Sequence, residues 1–216
     1  MQASSSPVPK ETPSQVVLAT RNAGKVAEIK ELLADLPIAV CPLDAFGCPD
    51  VVEAGETLQE NAVKKATEVA RRARLWALAD DSGLEVDYLN GMPGVRSARF
   101  AGEEASDEDN NEKLLALLEG VPWEQRRARF RCVMALADPT GKYRIVEGLC
   151  EGVITTSRAG TGGFGYDSLF FFPPLGRTFA QLDTQEKSRV SHRGQALRRL
   201  RKLLVKGLEG GTGSWR

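Results

Sequence analysis

The chain has 216 residues with 29 Lys and Arg against 29 Asp and Glu, a balance that supplies no global field to steer it onto nucleic acid or an anionic membrane. At 42% hydrophobic and 27% charged, with ordinary Gly and Pro counts, it is long enough to bury one substantial core, which excludes collagen, coiled coil and wholesale disorder. No run approaches the roughly 18 apolar residues of a membrane span, and MQASSSPVPKETPS lacks the basic and apolar regions of a secretory signal, so a cytoplasmic protein is expected.

Residues 1–14, with three consecutive serines and three prolines, read as a flexible tail. Gln15–Thr20 is β-rich, and after it Val26, Ile29, Leu32, Leu33 and Leu36 recur at helical spacing. Ile38–Cys41 suits a second strand. Thr57–Arg74 opens on a Thr cap and keeps Leu58, Ala62, Val63, Ala66, Val69 and Ala70 on one stripe. Trp76–Ala79 and Leu84–Leu89 read as two strands bracketing a turn, Asp80-Asp81-Ser82-Gly83. Ser106–Glu119 reads as a helix with an acidic start, Leu114, Leu115, Leu117 and Leu118 facing inward. Arg129–Ala137 and Tyr143–Leu149 flank Asp138-Pro139-Thr140-Gly141, whose Pro and Gly favour a type I turn and so an antiparallel hairpin. Ser168–Phe172 is a short strand stopped by Pro173-Pro174. Ser191–Lys206 is a basic helix carrying Leu197, Leu200, Leu203 and Leu204, and 207–216 read as a second tail. The expected architecture is a single α/β domain over 15–206 with a mixed sheet.

Cysteine and histidine exclude more. Cys41, Cys48, Cys132 and Cys150 form no C-x-x-C pair, which removes zinc ribbons and thioredoxin-like motifs and leaves reduced thiols. The single histidine, His192, rules out H-E-x-x-H and multi-His zinc sites, and no G-x-S-x-G elbow accompanies it.

Four segments could carry chemistry. Thr20-Arg21-Asn22-Ala23-Gly24-Lys25 lies where a strand meets a helix, so backbone amides, the positive end of the helix dipole and Lys25 converge as a phosphate site requires; a plain turn with a solvated lysine fits equally. Asp80-Asp81 is a carboxylate pair suited to Mg²⁺, with Glu53 as a second donor, or else a solvated turn. Gly160-Thr161-Gly162-Gly163-Phe164-Gly165 matches the dinucleotide fingerprint literally, but strand and stop follow where that fold needs a helix, so NAD binding is rejected. Phe164 could stack on a base with Asp167 fixing an edge or sugar, or anchor the core beneath a mobile loop. Lys187-Ser188-Arg189-Val190-Ser191-His192-Arg193-Gly194 gathers cations before the last helix, whose remaining arginines read as a solvated face rather than a nucleic-acid patch.

Taken in order, LATRNAGKVAEIKELL, VEAGETLQENAVKKA, ADDSGLEVDYLNGMPGVRSARFAG, GTGGFGYDSLFF and EKSRVSHRGQAL resemble the inosine triphosphate pyrophosphatase family from about Val16 to about Leu204. The resemblance implies an elongated mixed sheet flanked by helices, two lobes with the site in the cleft between them, and a homodimer. It implies hydrolysis of aberrant purine nucleoside triphosphates (ITP, dITP, XTP) to monophosphate and pyrophosphate. By it, Thr20, Arg21, Asn22, Ala23, Gly24 and Lys25 hold the triphosphate. Glu53 and Asp81 serve Mg²⁺, Asp81 is the general base, and Ser82 contacts substrate. Phe164, Gly165, Tyr166 and Asp167 match the base loop, and Lys187, His192 and Arg193 a second substrate segment. The family often has Pro where Ser168 stands and Glu where Gln181 stands. A nucleotide-binding sensor without turnover is the alternative, and a nucleic-acid-binding module a third reading that zero net charge disfavours.

Overall fold

The computed structural model describes residues 13–49 and 51–209. Most of the expected N-terminal tail, 1–12, and the end of the chain, 210–216, lie outside the described residues. Strand β1 (Gln15–Leu18) leads into α1 (Ala23–Leu33), then β2 (Ala39–Pro42), α2 (Leu58–Ala73), β3 (Trp76–Val86), α3 (Asp107–Leu117), β4 (Arg127–Ala137), β5 (Tyr143–Ile154), β6 (Phe170–Phe172), β7 (Arg177–Thr178), α4 (Thr184–Val190) and α5 (His192–Glu209). One seven-stranded sheet runs in the order β2-β1-β3-β4-β5-β6-β7. Its first three strands pair in parallel and the others antiparallel, so the sheet is mixed as expected.

Local chemistry explains the helix starts. Asn22 Oδ1 caps α1 by accepting from the Lys25 N–H at 3.0 Å, and Thr57 Oγ1 caps α2 by accepting from the Glu60 N–H at 3.1 Å. α3 starts on a reciprocal capping box between Ser106 and Asp109. Leu114 and Leu118 are buried one turn apart, whereas Leu117, expected inward, is 43% exposed, because only one stripe of α3 faces the sheet. The short α4, capped by Asp183, has no counterpart in the sequence reading. α5 runs on to Glu209, past Lys206, where a C-terminal tail was expected to start.

The largest correction concerns β3. The expected turn at 80–83 is absent: Asp80, Asp81 and Ser82 pair with Met134, Val133 and Cys132 in one uninterrupted strand. Two adjacent carboxylates suggest a solvated turn only while their counter-charges are invisible. The hairpin outgrows its expected ends on both strands, and its turn closes through the Gly141 N–H donating to the Asp138 carbonyl at 3.0 Å. The expected strand at Ser168–Phe172 contracts to β6.

Hydrophobic residues pack in three groups. α2 lies on one face over Ala77, Ala79, Val133 and Ala135, while α1 and α5 cover the other over Leu78, Met134 and Leu136. Leu84, Val86, Leu114, Leu118, Phe130, Phe170 and Phe179 fill the far end. At Gly148 on β5 the α5 helix comes so near that a Cβ would collide with the carbonyl of His192. Gly148→Ala is therefore expected to destabilise the fold by about 1–3 kcal/mol through overpacking, read as a lower urea midpoint; an unchanged midpoint would show that α5 can give way.

Candidate functional site

β1 pairs with β3 only as far as Leu78 and then stops, the last contact being the Ala19 N–H donating to the Leu78 carbonyl at 2.8 Å. Beyond that point one edge of β3 is open, and a cavity of about 1070 Å³ lies alongside it. Thr20, Arg21, Asn22, Lys25, Glu53, Asp81, Ser82, Phe164, Gly165, Tyr166, Asp167, Lys187, His192 and Arg193 line this cavity, so five separate segments meet at one place. Ala23 and Gly24 do not line it; Gly24 instead leaves room for the Phe164 ring, which stands 3.1 Å from where a Cβ would be.

Alternation along a strand sends the two aspartates to opposite faces. Asp80 is fully buried on the α1/α5 side, where Lys25 Nζ lies 3.0 Å and Arg193 Nε 3.4 Å from Oδ2. Burial opposes its charge, but Lys25, Arg193 and Lys65 outweigh burial and hold its carboxyl well below the usual carboxylate range. Asp81 faces α2, accepting from Asn61 Nδ2 at 3.0 Å, with Lys65 Nζ at 4.0 Å. Burial, with Glu53 adding to it, pushes Asp81 up to about 6 against the pull of Lys65, Asn61 and Lys25. Lys65 is itself buried, donating at 2.6 Å both to Glu53 Oε1 and to the Asp80 carbonyl on the open strand edge.

Asn61 and Lys65 escape the sequence reading, yet a signal exists. Both fall on the inward stripe of α2 among Leu58, Ala62, Ala66 and Val69, and a polar residue at a helix core position demands a partner. Arg99 escapes too; it donates to the Glu53 carbonyl at 3.0 Å and so holds the metal-candidate loop from the far side.

The phosphate-loop candidate is partly self-satisfied. The Asn22 N–H donates to Thr20 Oγ1 and the Lys25 N–H to Asn22 Oδ1, so two of the amides expected to face an anion are already engaged. The Arg21 side chain turns aside to Asp44 Oδ1 at 2.8 Å and the Cys48 carbonyl at 3.0 Å. Lys25 remains at the cavity wall with little exposure.

At the other end the glycine-rich loop folds around Asp167, whose Oδ2 accepts from the Phe164 N–H at 2.9 Å and Lys187 Nζ at 2.7 Å. One oxygen of the carboxylate assigned to a base edge or sugar thus closes the loop on itself. Lys187 and Arg193 stand 4.8 and 5.4 Å over the Phe164 ring, and Glu28 on α1 ties both cations together at 3.6 and 2.7 Å. His192 stacks on Phe130, and burial, with Arg193 and Lys187 beside it, drives it well below the usual histidine range; the ring is neutral and its Nδ1 has no hydrogen-bond partner. Gln181 accepts from the Thr178 N–H at 2.9 Å, so the departure from Glu there keeps its acceptor. The α5 arginines serve the fold: Arg198 donates to the Ser188 carbonyl at 2.9 Å and Arg201 pairs with Asp35, against a nucleic-acid patch.

Residues 16–203 match the Ham1 family. The chain belongs to that family. It is 53% identical over 191 residues, 88% of this chain and 95% of the relative, to a dITP/XTP pyrophosphatase of Desulforamulus reducens. It is 49% identical over 201 residues, 91% of this chain and 99% of the relative, to a dITP/XTP pyrophosphatase of Escherichia coli O157:H7. Among solved structures, a HAM1 protein from Coxiella burnetii superposes with a TM-score of 0.84 at 45% identity, covering 89% of this chain and 98% of the other.

For this Ham1 chain the donor chemistry suits a divalent cation. Glu53 and Asp81 present hard oxygens to the same cavity, and burial, with the Glu53 carboxylate adding to it, raises Asp81. No group of three or more His, Cys, Asp or Glu side chains converges among the described residues. Glu53 and Asp81 would be the protein donors to such a cation, and Mg²⁺ is often held by one or two carboxylates.

Since Asp81 binds its proton more tightly folded than unfolded, its favourable contribution is complete below about pH 4 and lost as pH rises through about 6. Without divalent cation, Asp81→Asn is expected to be more stable than the parent at pH 7.5. A rise from 3.8 to about 6 sets the scale at about 3 kcal/mol, and the gain should fade towards pH 4. Denaturant titrations in EDTA across this range check it; a variant less stable at pH 7.5 would mean that Lys65 and Asn61 outweigh burial.

Proposed function

We propose that this protein hydrolyses non-canonical purine nucleoside triphosphates, dITP, XTP and ITP, to the nucleoside monophosphate and pyrophosphate, with Mg²⁺ held by Glu53 and Asp81. The observation that carries the reading is Asp81: a cavity-facing carboxylate raised to about 6, between a lysine-bearing phosphate end and an aromatic base end. The names of the curated relatives, at about half identity over most of both chains, support the same substrate class.

The roles follow from the chemistry of each end. A water attacking the α-phosphorus must lose a proton, and the Asp81 carboxylate, facing the cavity, can accept it. Negative charge gathers on the departing pyrophosphate; Lys25, at the helix N-terminus beside Thr20 and Asn22, opposes it. Mg²⁺, when bound, would neutralise phosphate charge and order the attack geometry. Phe164 offers a face for the purine, while Tyr166 fixes the loop beneath through its hydroxyl donating to the Ser97 carbonyl at 2.8 Å. A 6-oxo purine presents an acceptor where adenine presents an amine, so a donor from neutral His192 or from Arg193 favours inosine and xanthosine.

Further features fit the reading. The far-end core and the two clusters flanking β1 and β3 support two lobes around the cavity. All four cysteines are free, with burial pushing Cys132 and Cys150 up to about 12, which suits a reducing cytoplasm. Half-exposed Tyr88 and Met92 offer apolar surface to the homodimer that the resemblance implies.

A panel of nucleoside triphosphates with and without Mg²⁺ tests the proposal. Monophosphate and pyrophosphate are expected from ITP, dITP and XTP, far faster than from ATP, and only with a divalent cation. Orthophosphate as first product overturns the reaction, and retained nucleotide without turnover favours the sensor.

A further inference from the structure

Two side chains of α3 grip the backbone of one residue in the base loop. The Gly165 N–H donates to Asp107 Oδ2 at 2.6 Å, and the Gly165 carbonyl accepts from Asn111 Nδ2 at 2.9 Å. Gly165 has a φ of +60°, the left-handed region, so the chain reverses direction there between Phe164 and Tyr166.

Helix α3 has no need of either contact. Its N-terminus is closed by Ser106, whose Oγ accepts from the Asp109 N–H at 3.1 Å while Asp109 Oδ2 accepts from the Ser106 N–H at 2.8 Å, so the Asp107 carboxylate is left over. Asn111 is 4% exposed on the inward stripe that continues to Leu114 and Leu118, and its Oδ1 has no hydrogen-bond partner. A residue serving packing alone would be apolar there, as those two leucines are. What Asn111 gains is two donations from one amide, to the Asp107 carbonyl at 2.7 Å and to Gly165. The grip fixes rotation of the loop about a glycine, the one kind of residue that cannot fix its own backbone.

We propose that Asp107 and Asn111 are positioning residues for base recognition, holding Gly165 so that the Phe164 ring is presented to a 6-oxopurine while the phosphate end is left untouched. The proposal rests on the reading of the cavity given above. The Phe164 ring already stands against Gly24 under Lys187 and Arg193, so a loop free to turn at Gly165 would lose that placement.

Two probes separate the ends of the cavity in the full-length protein. Inosine monophosphate carries the base; inorganic tripolyphosphate, with Mg²⁺, carries only the phosphates. By calorimetry, Asp107→Ala is expected to weaken inosine monophosphate at least threefold. Asn111→Ala, which loses the less exposed contact, should weaken it on the order of tenfold. Tripolyphosphate affinity should change less than twofold in both. Asp107→Asn, which keeps an acceptor oxygen, should recover most of the loss, and ITP turnover should show KM raised more than kcat lowered. Asn111→Leu, of nearly equal size, uncharged and without the donor, should repeat the loss and covers the case in which the alanine variant folds poorly. Equal weakening of both probes, or unchanged monophosphate affinity, overturns the proposal. A parent that binds tripolyphosphate but not inosine monophosphate overturns the reading of the base end, and this proposal with it.

Discussion

Two carboxylates on consecutive positions of a buried strand set the terms for this molecule. Leaving either charge unpaired at that depth costs several kcal/mol, so each face of β3 must bring cations to it. Alternation along the strand makes the division unavoidable. Asp80 goes to the α1/α5 layer and takes Lys25 and Arg193; Asp81 goes to the α2 layer and takes Lys65 and Asn61. The two are compensated unequally. Asp80 is held well below the usual carboxylate range and Asp81 is pushed up to about 6, so neighbouring residues of one type hold their protons with very different strength.

The rest of the site follows from where β1 ends. Had β1 continued beside β3 past Leu78, the edge at Asp80–Ser82 would be filled by backbone; because it ends, Lys65 reaches the Asp80 carbonyl and a cavity opens. The turn out of β1 then starts α1 at the cavity, and Lys25 on that helix neutralises Asp80 while lining the cavity. Glu28, one turn further along α1, reaches Arg193 and Lys187, joining α1 to α4 and α5 through one chain of largely buried charges.

Much of this was legible in the sequence. Helical apolar spacing announced every helix but α4, the Pro and Gly of 138–141 announced the hairpin, and caps such as Thr57 fixed helix starts. All but two of the expected site residues reach the cavity wall. What was not legible came from long-range compensation. The Asp80–Gly83 segment reads as a turn because nothing local can neutralise two carboxylates, and the neutralising groups stand on α1, α2 and α5, far away in sequence. Asn61, Lys65, Asp107 and Asn111 were missed for a related reason: each looks like an ordinary polar helix residue until the inward face of its helix is known. Asp167 was noticed, but as a ligand group; its place as the closure of its own loop depends on Lys187, which only the fold delivers.

The unequal roles of the two aspartates are tested most directly by ITP turnover of Asp81→Asn at saturating Mg²⁺, with melting curves run alongside. If Asp81 accepts the proton of the attacking water, turnover falls by at least the roughly 10²-fold typical of general-base loss while cooperative melting is retained. A folded Asp81→Asn protein with near-normal turnover would contradict the account, because the carboxylate at the open edge of β3 would then have no part in the reaction.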